Sequence, residues 1–397
     1  MPDTYSLPLA GLTVVAIEQA VAAPLATRHL ADWGARVIKI ERPGTGDFAR
    51  GYDKRVKGLS SYFVWLNRSK ESLTIDLKRP EANDVVAKLI ASADVLVHNL
   101  APGAMDRLGF ASATLRVRHP RLIICEISGY GSSGPYRDRK AYDLLIQSEA
   151  GLLSITGTPE SPAKAGISVA DIAAGMYAYS AVLTALVRRS TTGDGAAIEV
   201  SMLDALGEWM SHPFYATTYG GSPLPRSGAR HATIAPYGPF TAGDGGTVYL
   251  GIQNEREWIR FCSDVLAQSD IAGDARFANN PARVEHRDVL EAAINTKFAT
   301  LTTPEIAARL DAAEIAHARL NTVEEFAAHP QLAARNRWRE IDSPVGPLRA
   351  LAPPVMMDSL EPTMGPVPAL GAHTDAILKE FGYESDTIAS WRESGMI

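Results

Sequence analysis

Residues 12–41 read LTVVAIEQAVAAPLATRHLADWGARVIKIE, and this stretch decides the fold. LTVVAIE is a run of β-branched and aliphatic residues without polar alternation, the pattern of a strand covered on both faces. From Pro24 to Trp33 the pattern turns helical, Gly34 stands where a helix stop belongs, and ARVIKIE (35–41) is a second strand. Strand, helix and strand in this order form a βαβ unit with parallel strands and a right-handed crossover.

The unit repeats downstream. LTIDL (73–77), a helix with Pro80 in its first turn, VLVHN (95–99), a helical stretch to His119 and LIICEIS (122–128) extend the same sheet. The fold class is therefore α/β, a Rossmann-like parallel sheet. Ligands of such sheets gather at the carboxyl ends of the strands, here the loops 18–24, 42–46, 99–103 and 129–135. The turn after the first strand, EQAVAAP, has no glycine, which argues against a dinucleotide oxidoreductase.

After a strand at 198–200 and a helical stretch at 202–215 the composition shifts. YGGSPLPRSG (219–228) reads as a linker, followed by a hairpin (237–241 and 247–252) and helical patterns at 255–267, 282–298 and 304–313. This predicts a large domain over 1–218, a linker, a smaller inserted α/β domain over 229–330, and a return segment, 331–397, that completes the large domain. Prolines 344, 347, 353, 354, 362, 366 and 368 keep 343–370 extended before helices at 374–381 and 386–393.

The chain has 397 residues, 46% hydrophobic and 21% charged, with a net charge of -6. That is a globular composition with no general attraction to nucleic acid. Cys125 and Cys262 stand in apolar runs without metal or redox spacing, so no metal site is expected. The first nine residues lack the basic start and apolar core of a secretory signal, and no unbroken run of 18 apolar residues occurs. The expectation is a soluble cytoplasmic protein with no membrane partner.

AGISVADIAAGMYAYSAVLTALVRR (165–189) is a long apolar helix entered through one acid, Asp171. Two readings compete: Asp171 caps the helix with its carboxylate, or the carboxylate is fixed at a cleft and acts as a nucleophile.

Several separated stretches bear on the choice: LADWGARVIKIERPGTGD (30–47), NRSKESLTIDLK (67–78), VHNLAPGAMDRLGF (97–110), EISGYGSSGPY (126–136), VADIAAGM (169–176), TTGDGAAIEVSMLDA (191–205) and LGAHTDAILKEFG (370–382). In these the chain resembles the class III coenzyme A transferases, the family of formyl-CoA and carnitine-CoA transferases. The resemblance implies a homodimer of interlocked ring-like chains, coenzyme A as substrate and no tightly bound cofactor. It implies Asp171 as nucleophile, through aspartyl anhydride and aspartyl-CoA intermediates. It also implies CoA contacts at Val21, Ala22, Arg42, Lys78, Asn99, Leu100, Arg107, Lys140 and Met202.

Family members that racemise 2-methylacyl-CoA use a His before an Asp; here Tyr142 precedes Asp143, a poor base at neutral pH, so transfer outranks racemisation. Tyr142 and Asp143 are kept as supporting residues, or as a hydrogen-bonded pair at a helix start. The 226–240 stretch resembles members that handle C4 and C5 dicarboxylates such as succinate, mesaconate, itaconate and citramalate. Arg226, Arg230, His231 and Gly238 are the substrate-binding candidates, the alternative being a polar linker. A non-catalytic CoA-binding protein is the more distant alternative, since it would have no need of Asp171.

Overall fold

The computed structural model describes residues 7–397; of the amino-terminal stretch considered above as a signal, residues 1–6 lie outside it. Six strands, β1 (Thr13–Ile17), β2 (Arg36–Glu41), β3 (Lys70–Thr74), β4 (Val95–His98), β5 (Ile123–Ser128) and β6 (Ala197–Ser201), form one sheet in the order β3-β2-β1-β4-β5-β6. All five pairings are parallel. The strand order reverses between β1 and β4, the place where such sheets open a crevice.

Both faces are covered, as the apolar strands require. On one side Val14, Ala16, Val97 and Cys125 pack against the first helix (Ala22–Asp32) and the long helix (Val169–Thr192). On the other, Val15, Ile38 and Leu96 pack against Ala82–Ser92 and the carboxyl-terminal helices Thr374–Glu380 and Ser385–Glu393. The return segment also covers the free edge of β3. His373 Nδ1 accepts from Ser72 N (3.1 Å) and Thr374 Oγ1 from Thr74 N (3.0 Å), so these edge donors are not left open.

Gly175 lets the two helices of the first face touch. A Cβ there would stand 2.6 Å from the carbonyl oxygen of Ala22, inside van der Waals contact. The first turn of the long helix, with Asp171, is thereby brought to the amino end of the first helix.

The contacts divide the chain into two units. One comprises residues up to Ala150, Ala165–Ser211 and Gln331–Ile397; the other comprises Gly151–Lys164 and His212–Pro330. The second unit has an antiparallel sheet, β7 (Tyr237–Thr241), β8 (Thr247–Gly251) and β9 (His317–Arg319), around a core of Trp258, Phe261, Leu290 and Phe298. A last hairpin pairs β10 (Trp338–Ile341), just before the segment expected to be extended, with β11 (Leu348–Leu351), which lies inside that segment between Pro347 and Pro353.

Several expectations are corrected. β3 begins at Lys70, three residues before the expected start, because its leading polar side chains face inward partners rather than solvent. The stretch 202–215 is two helices, Met202–Trp209 and Ser211–Tyr219, and 282–298 breaks at His286. The 24-residue long helix is also long and apolar enough to cross a membrane by length and composition. Its stripe of Ala170, Ala173, Ala174, Ala178 and Val182 is buried in the core of the first unit, the packing of an amphipathic core helix.

Candidate active site

A cleft of about 550 Å3 opens at the carboxyl ends of β1, β2 and β3. Its walls carry Arg42, Lys78 and Arg107, all exposed and without an ion-pair partner among the described residues. Three such cations around one cleft suit a polyphosphate, which accepts charge-assisted hydrogen bonds from each. Leu100 adds an apolar patch. Four of the nine expected CoA contacts thus meet in one cleft.

The other five stand elsewhere. Val21, Ala22 and Met202 are buried and do not line it, and Lys140 is exposed away from it. Asn99 acts one step behind the wall: its Oδ1 accepts from Gln19 N (2.9 Å) and its Nδ2 donates to Gln19 O (2.8 Å), fixing the backbone of a residue that does line the cleft.

The floor of the cleft, which Glu18, Glu41 and Asp47 line, is a buried group of charges. Lys39 Nζ donates to Asp47 Oδ2 (2.7 Å) and Glu18 Oε1 (3.3 Å), and Lys70 Nζ donates to Glu18 Oε1 (2.7 Å) and Pro24 O (2.9 Å). Arg50 grips both oxygens of Glu41 at 2.8 Å. Burial pulls the Lys70 ammonium down to about 8 against the attraction of Glu18.

Asp171 lies in the first turn of the long helix, and it is not the cap. Asp143 caps the helix from outside: its Oδ1 accepts from Ala170 N (2.8 Å) and Asp171 N (3.4 Å), while its Oδ2 accepts from Gln147 (2.7 Å). With those N–H groups satisfied, the Asp171 carboxylate makes no hydrogen bond or ion pair among the described residues. Burial, and then the negative charge of Asp143, push its carboxyl up to about 7. Asp171 is thus poised near half ionisation at neutral pH, unlike a free aspartate.

The supporting pair also differs from expectation. Asp143 bonds to the long helix and Gln147, not to Tyr142, whose side chain is 68% exposed. Two further residues escaped the sequence reading. The Tyr52 hydroxyl is shifted upward by partial burial and then by the negative charges of Asp47 and Asp171. Gln19 lines the cleft with its side-chain Oε1 buried and unpartnered. Only the position of Gln19 in the loop after β1 signalled it.

The substrate-binding candidates belong to the second unit and have tasks there. Arg226 donates to the carbonyls of Thr158 (2.8 Å) and Pro159 (2.7 Å), and Arg230 pairs with Glu291 at 2.8 Å. His231 stacks on Tyr237, ring centroids 5.2 Å apart. A Cβ at Gly238 would come within 3.0 Å of Arg230 Cγ, so this glycine makes room for the arginine.

The family model described as CoA-transferase family III matches residues 9–374. The chain belongs to that family. A succinate–glutarate CoA-transferase of Agrobacterium fabrum is 33% identical, over 94% of this chain and 95% of its own length. An acyl-CoA transferase of Fusarium pseudograminearum is 34% identical over 98% and 88%. An acetyl-CoA:oxalate CoA-transferase of Acetobacter aceti is 35% identical over 83% and 85%. Among solved structures, a CAIB/BAIF family protein from Brucella suis superposes with a TM-score of 0.82 at 32% identity, covering 95% of this chain and 100% of that one. A member of CoA-transferase family III is an enzyme that takes coenzyme A as substrate, and the cationic cleft is consistent with that ligand.

Proposed function

We propose that this enzyme moves coenzyme A between an acyl-CoA and a C4 or C5 dicarboxylate, of the succinyl, mesaconyl, itaconyl or citramalyl type, with Asp171 as nucleophile. The observation that carries the nucleophile is its carboxylate: free of the capping task, unpaired among the described residues, and raised to about 7. A more basic carboxylate that is still substantially ionised at neutral pH is a better nucleophile than an ordinary aspartate.

The steps balance without another reagent. The carboxylate attacks the thioester carbonyl, forming a mixed anhydride and expelling CoA thiolate. The thiolate attacks the aspartyl carbonyl, giving an aspartyl-CoA thioester and releasing the donor acid. The incoming carboxylate attacks that thioester, and the freed thiolate then attacks the new acyl carbonyl, restoring Asp171.

The succinate–glutarate relative, matched over nearly the whole chain, supports the dicarboxylate class. The oxalate relative favours a second reading with a C2 acceptor. The cation for the distal carboxylate is not Arg230 in the free chain, since Glu291 already neutralises it. Racemisation is disfavoured because the hydroxyl of the exposed Tyr142 has no hydrogen-bond partner among the described residues to make it a base. A panel of acyl-CoA donors against succinate, glutarate, itaconate, citramalate and oxalate, read by mass spectrometry, tests the assignment. Turnover confined to oxalate would remove the C4 and C5 reading in favour of the C2 one.

The enzyme is further proposed to be a homodimer. The long helix leaves Met176, Tyr177 and Val187 exposed in the single chain, an apolar face that a second subunit would cover. Light scattering that returns a compact monomer at working concentration would refute this.

A further inference from the structure

The buried charges in the floor of the cleft have a feature that stability does not require. Glu18, Lys39, Asp47 and Lys70 are each 3% exposed or less. Burying ion pairs is costly, and apolar replacements of similar volume are often as stable. What an apolar side chain cannot do is accept hydrogen bonds. Asp47 Oδ1 accepts from Ala49 N and, across the loop, from Ala20 N, both at 2.9 Å.

Ala20 is a non-glycine residue at φ 65°, in the left-handed region where a Cβ is strained. Such a conformation persists only where the surroundings dictate it. Here they do so from two sides: Asp47 holds Ala20 N, and Asn99 holds both backbone groups of Gln19. The turn so fixed delivers Gln19 to the cleft wall and leads into the first helix, against which the Asp171 turn packs. Gly46, at φ 67°, lets the Asp47 loop close over Glu41 and Arg50, since a Cβ there would lie 2.8 Å from Arg50 Cδ.

We propose that Asp47 is a positioning residue for the CoA cleft: its Oδ1 holds Ala20 in the left-handed turn that sets the Gln19 wall, and Lys39 aims the carboxylate. The inference rests on the reading of the cleft as the CoA site.

The test uses the full-length enzyme and free CoA as probe, followed by calorimetric titration. Asp47→Leu combined with Lys39→Met removes the acceptor without leaving a lone charge. It should weaken CoA binding by at least about tenfold and speed amide exchange in the segment around Ala20. Adding Ala20→Gly, which adopts the turn freely, should recover affinity to within about threefold of wild type. Asp47→Asn with Lys39→Met keeps the acceptor oxygen and should bind to within the same factor.

Ala20→Val leaves every charge in place and strains only the turn, so it serves if the leucine variant does not fold. It should cost about tenfold in CoA affinity. Wild-type affinity in Ala20→Val, or an asparagine variant as weak as the leucine one, would overturn the inference. Failure of the wild-type enzyme to bind CoA would overturn the reading of the cleft itself, and this inference with it.

Discussion

Replacing Asp171 by Asn should make the protein more stable at neutral and alkaline pH, although it removes the proposed nucleophile. An unfolded aspartate titrates near 3.9, whereas the folded Asp171 carboxyl is raised to about 7. Below about pH 4 the group is protonated in both states and contributes nothing. Between about 4 and 7 the unfolded chain gives up its proton while the folded chain keeps it, so stability falls as pH rises. Above about 7 both states are ionised and the loss is complete. A carboxyl that titrates near 7 when folded and near 3.9 when unfolded costs about 4 kcal/mol once ionised, and screening by water around a group that is only partly buried brings the expectation to on the order of 2–4 kcal/mol.

Asn lacks the charge and so escapes that loss. Denaturant midpoints at equal protein concentration should show Asp171→Asn ahead of wild type at pH 8, with roughly a third of that advantage left at pH 5. A helix cap would behave differently, since its change to Asn leaves stability the same or lower by up to about 1 kcal/mol at every pH. An Asn variant no more stable than wild type at pH 8 would refute the account of a destabilised, uncapped carboxylate.

The same titration should appear in the kinetics: kcat/KM for the acyl-CoA donor should fall about tenfold per unit below pH 7, and a flat profile down to pH 5.5 would contradict it. Asp143→Asn keeps the acceptor for Ala170 N while removing the like charge, so the profile should move to lower pH; an unmoved profile would show that Asp171 does not feel that charge. In Asp171→Asn, turnover should drop by orders of magnitude while CoA affinity stays near wild type; parallel losses in both would point to a distorted cleft.

The sheet was legible in the sequence because a strand buried on both faces is mostly apolar, as the VVAI and IIC runs of the first and fifth strands are. β3 was misplaced for the opposite reason. Lys70 and Ser72 read as surface residues, but their partners Glu18 and Glu41 lie 52 and 31 positions away and bury them. Asp171 stood out in the sequence as a single acid at the mouth of an apolar helix, with capping and nucleophile both open. Its freedom was not, because the cap comes from Asp143, and nothing local distinguishes a helix that caps itself from one capped by a neighbour. Arg42, Lys78 and Arg107 could be named only through the resemblance to the class III coenzyme A transferases; the parallel sheet by itself pointed to the loops at its strand ends, not to these side chains. Arg230 looked equally available until Glu291, 61 residues on, was found to neutralise it.

The most direct test is to expose the enzyme to a dicarboxylyl-CoA without an acceptor and to weigh the peptide that carries Asp171. The account predicts an aspartyl-CoA mass on that peptide, or an aspartyl hydroxamate after hydroxylamine, and neither on the Asp171→Asn peptide shown to be free of deamidation. An Asn variant that transfers CoA at a near-normal rate, or an adduct on another residue, would contradict it.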